Sequence, residues 1–379
     1  MELENTMRKR LAAIALALFC SCAVAQEEPA GRTIDTTAID RAVSTFIKNS
    51  GSPGVAIAIH TPRGSLREAY GTSDVENNVP MTPQTVFRFA SITKAITATS
   101  VMQLVQAGKI DLEHPIQEYC PEFPTKQWTL TVWNVLAFTS GIRHYRDDEE
   151  ALTGAKHFAS VTESLSIFKD DPLQFEPGTK FGYSTYAYSL LACAIEHVTG
   201  EHFGMYLQRG IFEPSGMTGT TIDDALAIIP HRAQGYQKSS TGVLQNATLL
   251  DTSGRVGGGG VAGTAEDLAD FGTAVLSYKL LTRVTQESMW RFQPLRSGTT
   301  PLGLGWGLLF HNGTLHAVFF GGEQPKTSSY LLIDLRSGSV IAVLANLLDA
   351  DTQGLAFEVQ RILDPANPVA LDVPSAEHP

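Results

Sequence analysis

The chain has 379 residues, of which 43% are hydrophobic and 18% are charged, and its formal net charge is −11. These values are typical of a globular protein, and the length allows one large domain or two ordinary ones. An acidic chain without a basic run beyond its first residues argues against nucleic acids and anionic membrane surfaces as partners.

The N-terminus has the pattern of a secretory signal peptide. A basic stretch from Arg8 to Arg10 precedes an apolar run over 11–20, and small residues at 23–25 offer a cleavage site. The apolar run is too short to span a bilayer comfortably, although a short membrane anchor is the alternative. We therefore expect a signal peptide at 1–25, an exported (periplasmic or secreted) mature protein, and no stable membrane span after cleavage.

The hydrophobic periodicity changes twice along the chain. Short β-type runs at 53–60 and 66–71 flank a turn and predict a hairpin. The pattern from about 91 to 275 is mostly helical. After Pro301 it becomes a series of strands again, in GWGLLF, TLHAVFF, SSYLLID and SVIAVLANL.

This order of elements predicts an α+β fold. The N-terminal hairpin (about 53–75) and the C-terminal strands (about 302–348) are expected to share one antiparallel sheet flanked by helices, with the helical segment 91–275 as an inserted lobe. We assign 26–365 to a single domain and 366–379 to a frayed tail.

Two of the four cysteines lie in the predicted signal peptide, so that Cys120 and Cys193 remain. Export permits a disulfide between them. Cys193, however, lies on the apolar face of a predicted helix, and we expect a buried free thiol. Two cysteines without a matching histidine pattern predict no zinc site, and the sequence indicates no other metal or cofactor.

The strongest chemical signal is FRFASITK at 87–94, which places Ser91 and Lys94 three residues apart. On a helix this spacing puts both side chains on one face. A serine hydroxyl needs a base to become a good nucleophile, and a buried lysine can lose its proton and act as that base. The start of a helix also offers free N–H groups that suit an oxyanion.

The Ser-x-x-Lys pattern alone has low specificity, because it occurs a second time at Ser166 and Lys169. The second pair lies in a charged stretch that runs into a proline, which is typical of an exposed helix end. The residues around Ser91 therefore decide between the two.

Several segments together resemble the serine β-lactamase-like and penicillin-binding hydrolases, on the side of the class C β-lactamases and D-alanyl-D-alanine carboxypeptidases. Within that group the resemblance is closest to the mitochondrial-type serine β-lactamase-like proteins. It rests on FRFASITK at 87–94, LVQAGKIDLEHPI at 104–116, TSGIRHY at 139–145, PGTKFGYSTYAYSLL at 177–191 and GGGGVAGTAEDLADF at 257–271. It implies a β-lactamase/transpeptidase-like fold and an acyl-enzyme reaction without a cofactor.

The resemblance also implies roles for individual residues. Ser91 would be acylated, and Lys94 would be the neighbouring base. Tyr183, in Tyr-Ser-Thr, would pass a proton to the leaving group, with its phenol perturbed by Lys94. Thr185 would replace the asparagine often found in this motif.

This chain departs from the family at the third motif, which is Lys-Thr-Gly or His-Thr-Gly in the proteins that it resembles. The best ungapped placement puts Phe320 at the cationic position, followed by two glycines, and a shift by one residue would use Phe319 instead. The oxyanion would then be held by the N–H groups of Ser91 and Glu323, or of Gly322 in the other register. Recognition of a substrate carboxylate is expected to suffer. The literal Lys-Thr-Ser at 326–328 is a weaker candidate for the same motif.

Four further features have ordinary readings. Phe138, where the family usually has a histidine, is expected to be structural, and His144 to be a solvated loop residue rather than a substrate wall. The glycine run 258–263 predicts a flexible turn beside the cleft rather than a dinucleotide site. The acidic run 147–150 predicts a solvated face.

The sequence thus predicts an exported serine hydrolase that forms an acyl-enzyme with a small-molecule or peptide substrate. An ester or a peptide-type amide, with a D-residue as one option, is favoured over a β-lactam. The alternative is a catalytically impaired relative that binds a peptide or cell-wall fragment or has a structural role. The oligomeric state is not indicated.

Overall fold

The computed structural model describes residues 34–146 and 154–369. The predicted signal peptide, the acidic run 147–150 and most of the predicted tail lie outside these ranges. Within them, no helix is both long enough and apolar enough to cross a membrane.

The main sheet has seven strands in the order β3-β2-β1-β12-β11-β10-β9, and every neighbouring pair is antiparallel. The predicted α+β fold is therefore confirmed, because the N-terminal hairpin and the C-terminal strands form one sheet. Two small sheets contain β4-β8-β5 and β6-β7. The strands are β1 (Gly54–Thr61), β2 (Gly64–Asp74), β3 (Val79–Pro80), β4 (Phe87–Arg88), β5 (Thr221–Ile222), β6 (Tyr236–Lys238), β7 (Leu244–Asn246), β8 (Val261–Gly263), β9 (Gly307–His311), β10 (Thr314–Gln324), β11 (Thr327–Asp334) and β12 (Ser339–Ala345).

Most α-helices of the described ranges lie between β4 and β9, as the periodicity predicts. Short 3-10 turns occur at Ala90–Ile92, Ile116–Glu118, Leu165–Ile167 and Ser253–Arg255, and a π-helical turn at Gln208–Phe212. The α-helices are α1 (Thr36–Ser50), α2 (Thr93–Gln106), α3 (Val132–Leu136), α4 (Val161–Ser164), α5 (Thr185–Thr199), α6 (Phe203–Leu207), α7 (Glu213–Ser215), α8 (Val256–Gly259), α9 (Ala265–Leu276), α10 (Arg283–Met289) and α11 (Thr352–Leu363).

The sheet is covered on both faces, so the middle residues of its central strands are apolar. Alternate residues of β1 point to opposite sides: Ile57 joins the core formed with α1 and α11, and Ala58 joins the core formed with the helical lobe. All residues of β11 and β12 are buried. This explains why these strands appear as continuous hydrophobic runs rather than as alternating ones.

Two buried helices of the lobe place the active-site motifs beside β10. The 3-10 turn at Ala90–Ile92 leads directly into α2, and α5 begins at Thr185 with Ser184 as its N-cap. The Ser184 hydroxyl accepts a hydrogen bond from the Ala187 N–H at 3.1 Å. Gly108 and Gly200 follow the ends of these helices with positive φ, as predicted.

The expectation of a buried free thiol at Cys193 is wrong, because Cys120 and Cys193 form a disulfide with their Cα atoms 5.6 Å apart. Cys193 does lie on the buried face of α5. That face packs against the segment after the turn Ile116–Glu118, which carries Cys120. The helical pattern located the thiol but contained no information about its partner, which is 73 residues away in sequence.

We predict that replacing Cys120 and Cys193 together by alanine lowers the free energy of unfolding by roughly 4 kcal/mol, since the cross-link restricts a long loop of the unfolded chain. Urea unfolding followed by circular dichroism measures this difference. The parent protein treated with reductant should approach the variant. A midpoint that is the same with and without reductant would contradict the prediction.

Candidate active site

Ser91 lies in the middle of the 3-10 turn that opens α2, partly accessible from the cleft. Ala90, directly before it, has φ +47°, a conformation that residues with a side chain rarely adopt. Strain of this kind persists only where the surrounding structure holds the backbone in place, and it is frequent at functional sites.

Lys94 is completely buried one turn after Ser91. Its Nζ lies 3.0 Å from Ser91 Oγ, 3.1 Å from Thr185 Oγ1 and 2.8 Å from the carbonyl oxygen of Gly258. Burial lowers the pKa of Lys94 well below its usual value, and the nearby charge of Arg255 lowers it further. The neutral amine is therefore favoured, and it can accept the proton of the Ser91 hydroxyl.

Tyr183 contacts the same hydroxyl from the other side, and its phenol donates a hydrogen bond of 2.8 Å to Ser91 Oγ. Burial raises the pKa of Tyr183, while the hydrogen bond to Ser91 opposes this effect. Lys94 Nζ lies 4.7 Å from the centre of the Tyr183 ring. The phenol is thus protonated at rest, and burial rather than Lys94 is the main perturbation of its pKa.

Two residues that were not expected at the site hold the Tyr183 ring. Phe138 is buried and stacks on Tyr183 with ring centres 5.5 Å apart. His144 meets the same ring edge-on at 5.5 Å and lines the cleft. The reading of His144 as a solvated loop residue is therefore wrong. The distance in sequence between these residues and Tyr183 does not predict the contacts, because they form only when the loop 137–145 folds back on α5.

The segment 258–263 is not a flexible turn, which corrects that expectation. Its first two residues end the buried helix α8, which packs against the backbone of α5, and its last three form β8. A Cβ on Gly258 would lie 2.6 Å from the Thr185 carbonyl oxygen, and one on Gly257 would overlap the Tyr188 carbonyl. Glycine is required here for close approach, and that approach delivers the Gly258 carbonyl to Lys94.

The strand β10 forms the other wall of the cleft. A Cβ on Gly322 would lie 2.8 Å from the backbone nitrogen of Ser91. Pairing between β10 and β9 ends at Phe319, so the later residues of β10 present one unpaired edge. This placement favours the register with Phe320 at the cationic position and the Glu323 N–H beside that of Ser91. The oxyanion role of these groups stays a prediction.

Phe320 brings an apolar side chain to the third-motif position. It is buried against the core of the helical lobe and lines the cleft. By contrast, Lys326, Thr327 and Ser328 do not line the cleft in the described structure. Thr327 is buried and donates to backbone carbonyls instead. The weaker placement of the third motif thus has no support from geometry.

The second Ser-x-x-Lys pair lies outside the cleft. Ser166 is exposed, and its hydroxyl donates to the carbonyl of Glu163 at 2.6 Å. This position agrees with the reading of the pair as a helix end on the surface.

A cavity of about 500 Å³ opens over Ser91. Its walls combine aromatic and apolar side chains with hydroxyls, two amides, one histidine and two acids. The lining residues are Ser91, His144, Tyr145, Tyr183, Thr185, Leu302, Gly307, Phe319, Phe320, Gly321, Gly322, Glu323, Gln324, Ser329, Tyr330, Ala350, Asp351, Thr352 and Gln353.

Within the described ranges, potential metal ligands cluster in two places, neither of which includes Ser91. One is the disulfide pair with Glu122, whose sulfurs are already bonded to each other. The other is His60 with Glu266 and Asp270, between β1 and α9.

The chain belongs to the beta-lactamase family, whose sequence profile it matches over residues 39–362. The fold and the Ser91 cleft place it among the serine hydrolases of the β-lactamase and penicillin-binding superfamily.

Individual relatives agree with this assignment. The human mitochondrial serine beta-lactamase-like protein LACTB is 31% identical over 294 residues, which cover 60% of this chain and 54% of that protein. The chain thus spans about half the length of this relative. The putative penicillin-binding protein PbpX of Bacillus subtilis strain 168 is 29% identical over 314 residues, covering 82% of this chain and 74% of that protein.

Among solved structures, D-amino acid amidase from Ochrobactrum anthropi SV3 superimposes with a TM-score of 0.76 and 22% identity, over 88% of this chain and 99% of that one. At this level of identity the likeness shows a shared fold.

We predict that Gly322→Ala slows acylation of Ser91 by about a hundredfold or more, because the new Cβ would displace the strand from the Ser91 N–H and disturb the oxyanion site. The rate of labelling by a fluorophosphonate measures acylation competence. Gly321→Ala is the matched control, since its Cβ would come no closer than 3.3 Å to the Tyr330 ring. Equal labelling rates for the two variants would contradict the prediction.

We also predict that Arg255→Met shifts the acidic limb of the pH profile of kcat/KM to higher pH. Loss of the Arg255 charge stabilises the Lys94 ammonium and raises its pKa, so that less neutral amine is present at a given acidic pH.

Arg255→Lys, which keeps the charge, should leave this limb close to that of the parent. The profile is measured with an ester whose leaving group does not titrate in the same range. A limb that is unmoved in Arg255→Met would contradict the assignment of Lys94 as the base.

Proposed function

We propose that the protein hydrolyses an ester or a peptide-type amide through an acyl-enzyme on Ser91, with weak or no activity on β-lactams. The observation that carries this proposal is the pair of contacts to Ser91 Oγ, from the buried Lys94 amine at 3.0 Å and from the Tyr183 phenol at 2.8 Å. A serine that both accepts from a phenol and faces a neutral amine is arranged for deprotonation.

In the acylation step, Ser91 Oγ attacks the substrate carbonyl carbon while its proton passes to Lys94 Nζ. The oxyanion is held by the backbone N–H groups of Ser91 and Glu323. The bond to the leaving group then breaks, Tyr183 gives its proton to that group, and Lys94 returns a proton to Tyr183. The products are the acyl-serine and the protonated alcohol or amine.

In the deacylation step, water attacks the acyl carbon and gives a proton to the Lys94 and Tyr183 pair. The bond to Ser91 Oγ breaks, the proton returns to Ser91, and the carboxylic acid is released. Summed over both steps, one water is consumed and the side chains regain their starting protonation states.

The third-motif position supports an ester or amide rather than a β-lactam. Phe320 offers no charge to a substrate carboxylate, and the other third-motif candidate, Lys326, does not line the cleft. The similar D-amino acid amidase was solved in complex with D-phenylalanine. A D-residue in the substrate of the present chain is thus part of the proposal.

Export is also proposed. The basic, apolar and small-residue pattern of the first 25 residues supports it. The Cys120–Cys193 disulfide supports it independently, since such bonds persist mainly in oxidising compartments.

The experiment is intact mass spectrometry of the protein, expressed from the full sequence and recovered from the exported fraction, before and after treatment with a fluorophosphonate. We predict the mass of a chain that begins at Gln26, and a single adduct on the parent protein. Ser91→Ala should carry none, and Tyr183→Phe should be labelled about a hundredfold more slowly, because the phenol no longer assists proton transfer.

Ser166→Ala is the matched control, since it removes the serine of the exposed Ser-x-x-Lys pair and should be labelled like the parent. If the folded parent takes no adduct, the catalytic proposal fails and the alternative of a peptide-binding or structural relative is favoured. A mass that retains residues 1–25 in the exported fraction would contradict cleavage of the predicted signal.

A further inference from the structure

The residues that line the cleft carry a net negative charge, and the proposed hydrolase mechanism assigns no role to it. Of the residues that line the cavity in the described structure, Glu323 and Asp351 carry negative charge, and none is a lysine or an arginine. Lys94, one helical turn below Ser91, is fully buried, and its lowered pKa favours the neutral amine. The accessible wall of the cleft is therefore acidic as well as apolar.

Glu323 lines the cleft, and its carboxylate takes part in none of the contacts that hold the described structure together. It follows Gly322, whose Cβ position faces Ser91, and neighbouring side chains of a strand leave from opposite faces. The Glu323 carboxylate therefore leaves β10 on the face opposite Ser91 and lines the same cavity as Asp351. Within residues 34–146 and 154–369, this carboxylate has no hydrogen-bond or ion-pair partner. Partial burial, and to a lesser degree the charge of Asp349, raise its pKa. A nearby cation would relieve both effects.

Asp351 adds a second negative charge to the same cavity. Its Oδ1 caps α11 by accepting from the Gly354 N–H at 2.8 Å, and no ion pair neutralises it among the described residues.

Gln324 provides an independent observation. Its side chain is only 6% exposed and lines the same cavity. Its Nε2 donates to the Gly259 carbonyl at 3.0 Å, which fixes the orientation of the amide, and its Oε1 is left without a donor among the described residues. A buried acceptor without a donor is costly, and such a group is explained when a ligand supplies the donor.

We propose that the Ser91 cleft selects esters or amides that carry a positively charged amine group, bound against Glu323 and Asp351. This inference rests on the proposed hydrolase function and names its substrate class. The amine would occupy the acidic wall while an apolar part of the substrate contacts Phe319, Phe320 and Tyr330. A carboxylate at the same place would be repelled.

The test uses three p-nitrophenyl esters of similar shape and different charge: 4-(trimethylammonio)butanoate, 5,5-dimethylhexanoate and the glutarate monoester. We expect kcat/KM to be about tenfold higher for the cationic ester than for the neutral one, the size expected for a partly exposed charge pair, and lowest for the anionic ester. The cationic-to-neutral ratio should fall when the ionic strength is raised to about 0.5 M.

Glu323→Gln and Asp351→Asn should each lower this ratio by about threefold or more. The ratio is formed within each variant, so a general loss of activity cancels. Asparagine also keeps the helix cap of α11. Glu358→Gln is the matched control, because the Glu358 side chain is 40% exposed on the same helix, pairs with Arg361 and does not line the cavity.

The outcomes separate the inference from the function on which it rests. Turnover of the neutral ester that is lost in Ser91→Ala supports the hydrolase. A ratio near one in the parent, or a ratio unchanged in both acid variants, then overturns the charge selection alone. If none of the three esters is hydrolysed and Ser91 takes no fluorophosphonate, both proposals fail.

Discussion

Complete burial of one amine organises the chemistry of this protein. Lys94 forms no ion pair with a carboxylate in the described structure, and the hydrogen-bond partners of its Nζ are two hydroxyls and a carbonyl. A buried ammonium without a counter-ion is unfavourable, so the protein stabilises the neutral form. The exclusion of water from this side chain thus leaves a neutral amine that can accept the proton of the Ser91 hydroxyl. Arg255 adds to the effect through its charge.

That burial depends on backbones that come unusually close together. The glycines of α8 let this turn pack directly on α5, which brings a carbonyl to Lys94 and closes the site from below. Gly322 lets β10 pass over the start of α2 from the other side. The serine is held between these two contacts. A side chain at either contact would separate the segments whose backbone groups meet at the reacting atoms.

Two aromatic residues near this centre occupy positions where the motifs of the family have polar residues, and the consequences of the two differ. Phe138 stacks on Tyr183 and orients the phenol toward Ser91. Phe320 instead removes a cation from the wall of the cleft, which leaves Glu323 and Asp351 as its charged groups within the described residues. The first change leaves the Tyr183 phenol in contact with Ser91, whereas the second leaves the lining of the cleft without a lysine or an arginine among the described residues.

The sequence by itself determined the helices and strands that show a regular hydrophobic period, and the placement of the serine and lysine of the first motif on one helical turn. The hairpin of β1 and β2, the C-terminal strands, and the placement of Ser91 and Lys94 on one face are consequences of side-chain spacing. Tyr183 was identified from the sequence only through resemblance to a family. The tertiary structure alone decided the partner of Cys193, the packed state of the glycine run, the place of His144 in the wall and the closest approach of β10 to Ser91. Each of these depends on the distance between segments far apart in the chain, and no local pattern specifies that distance.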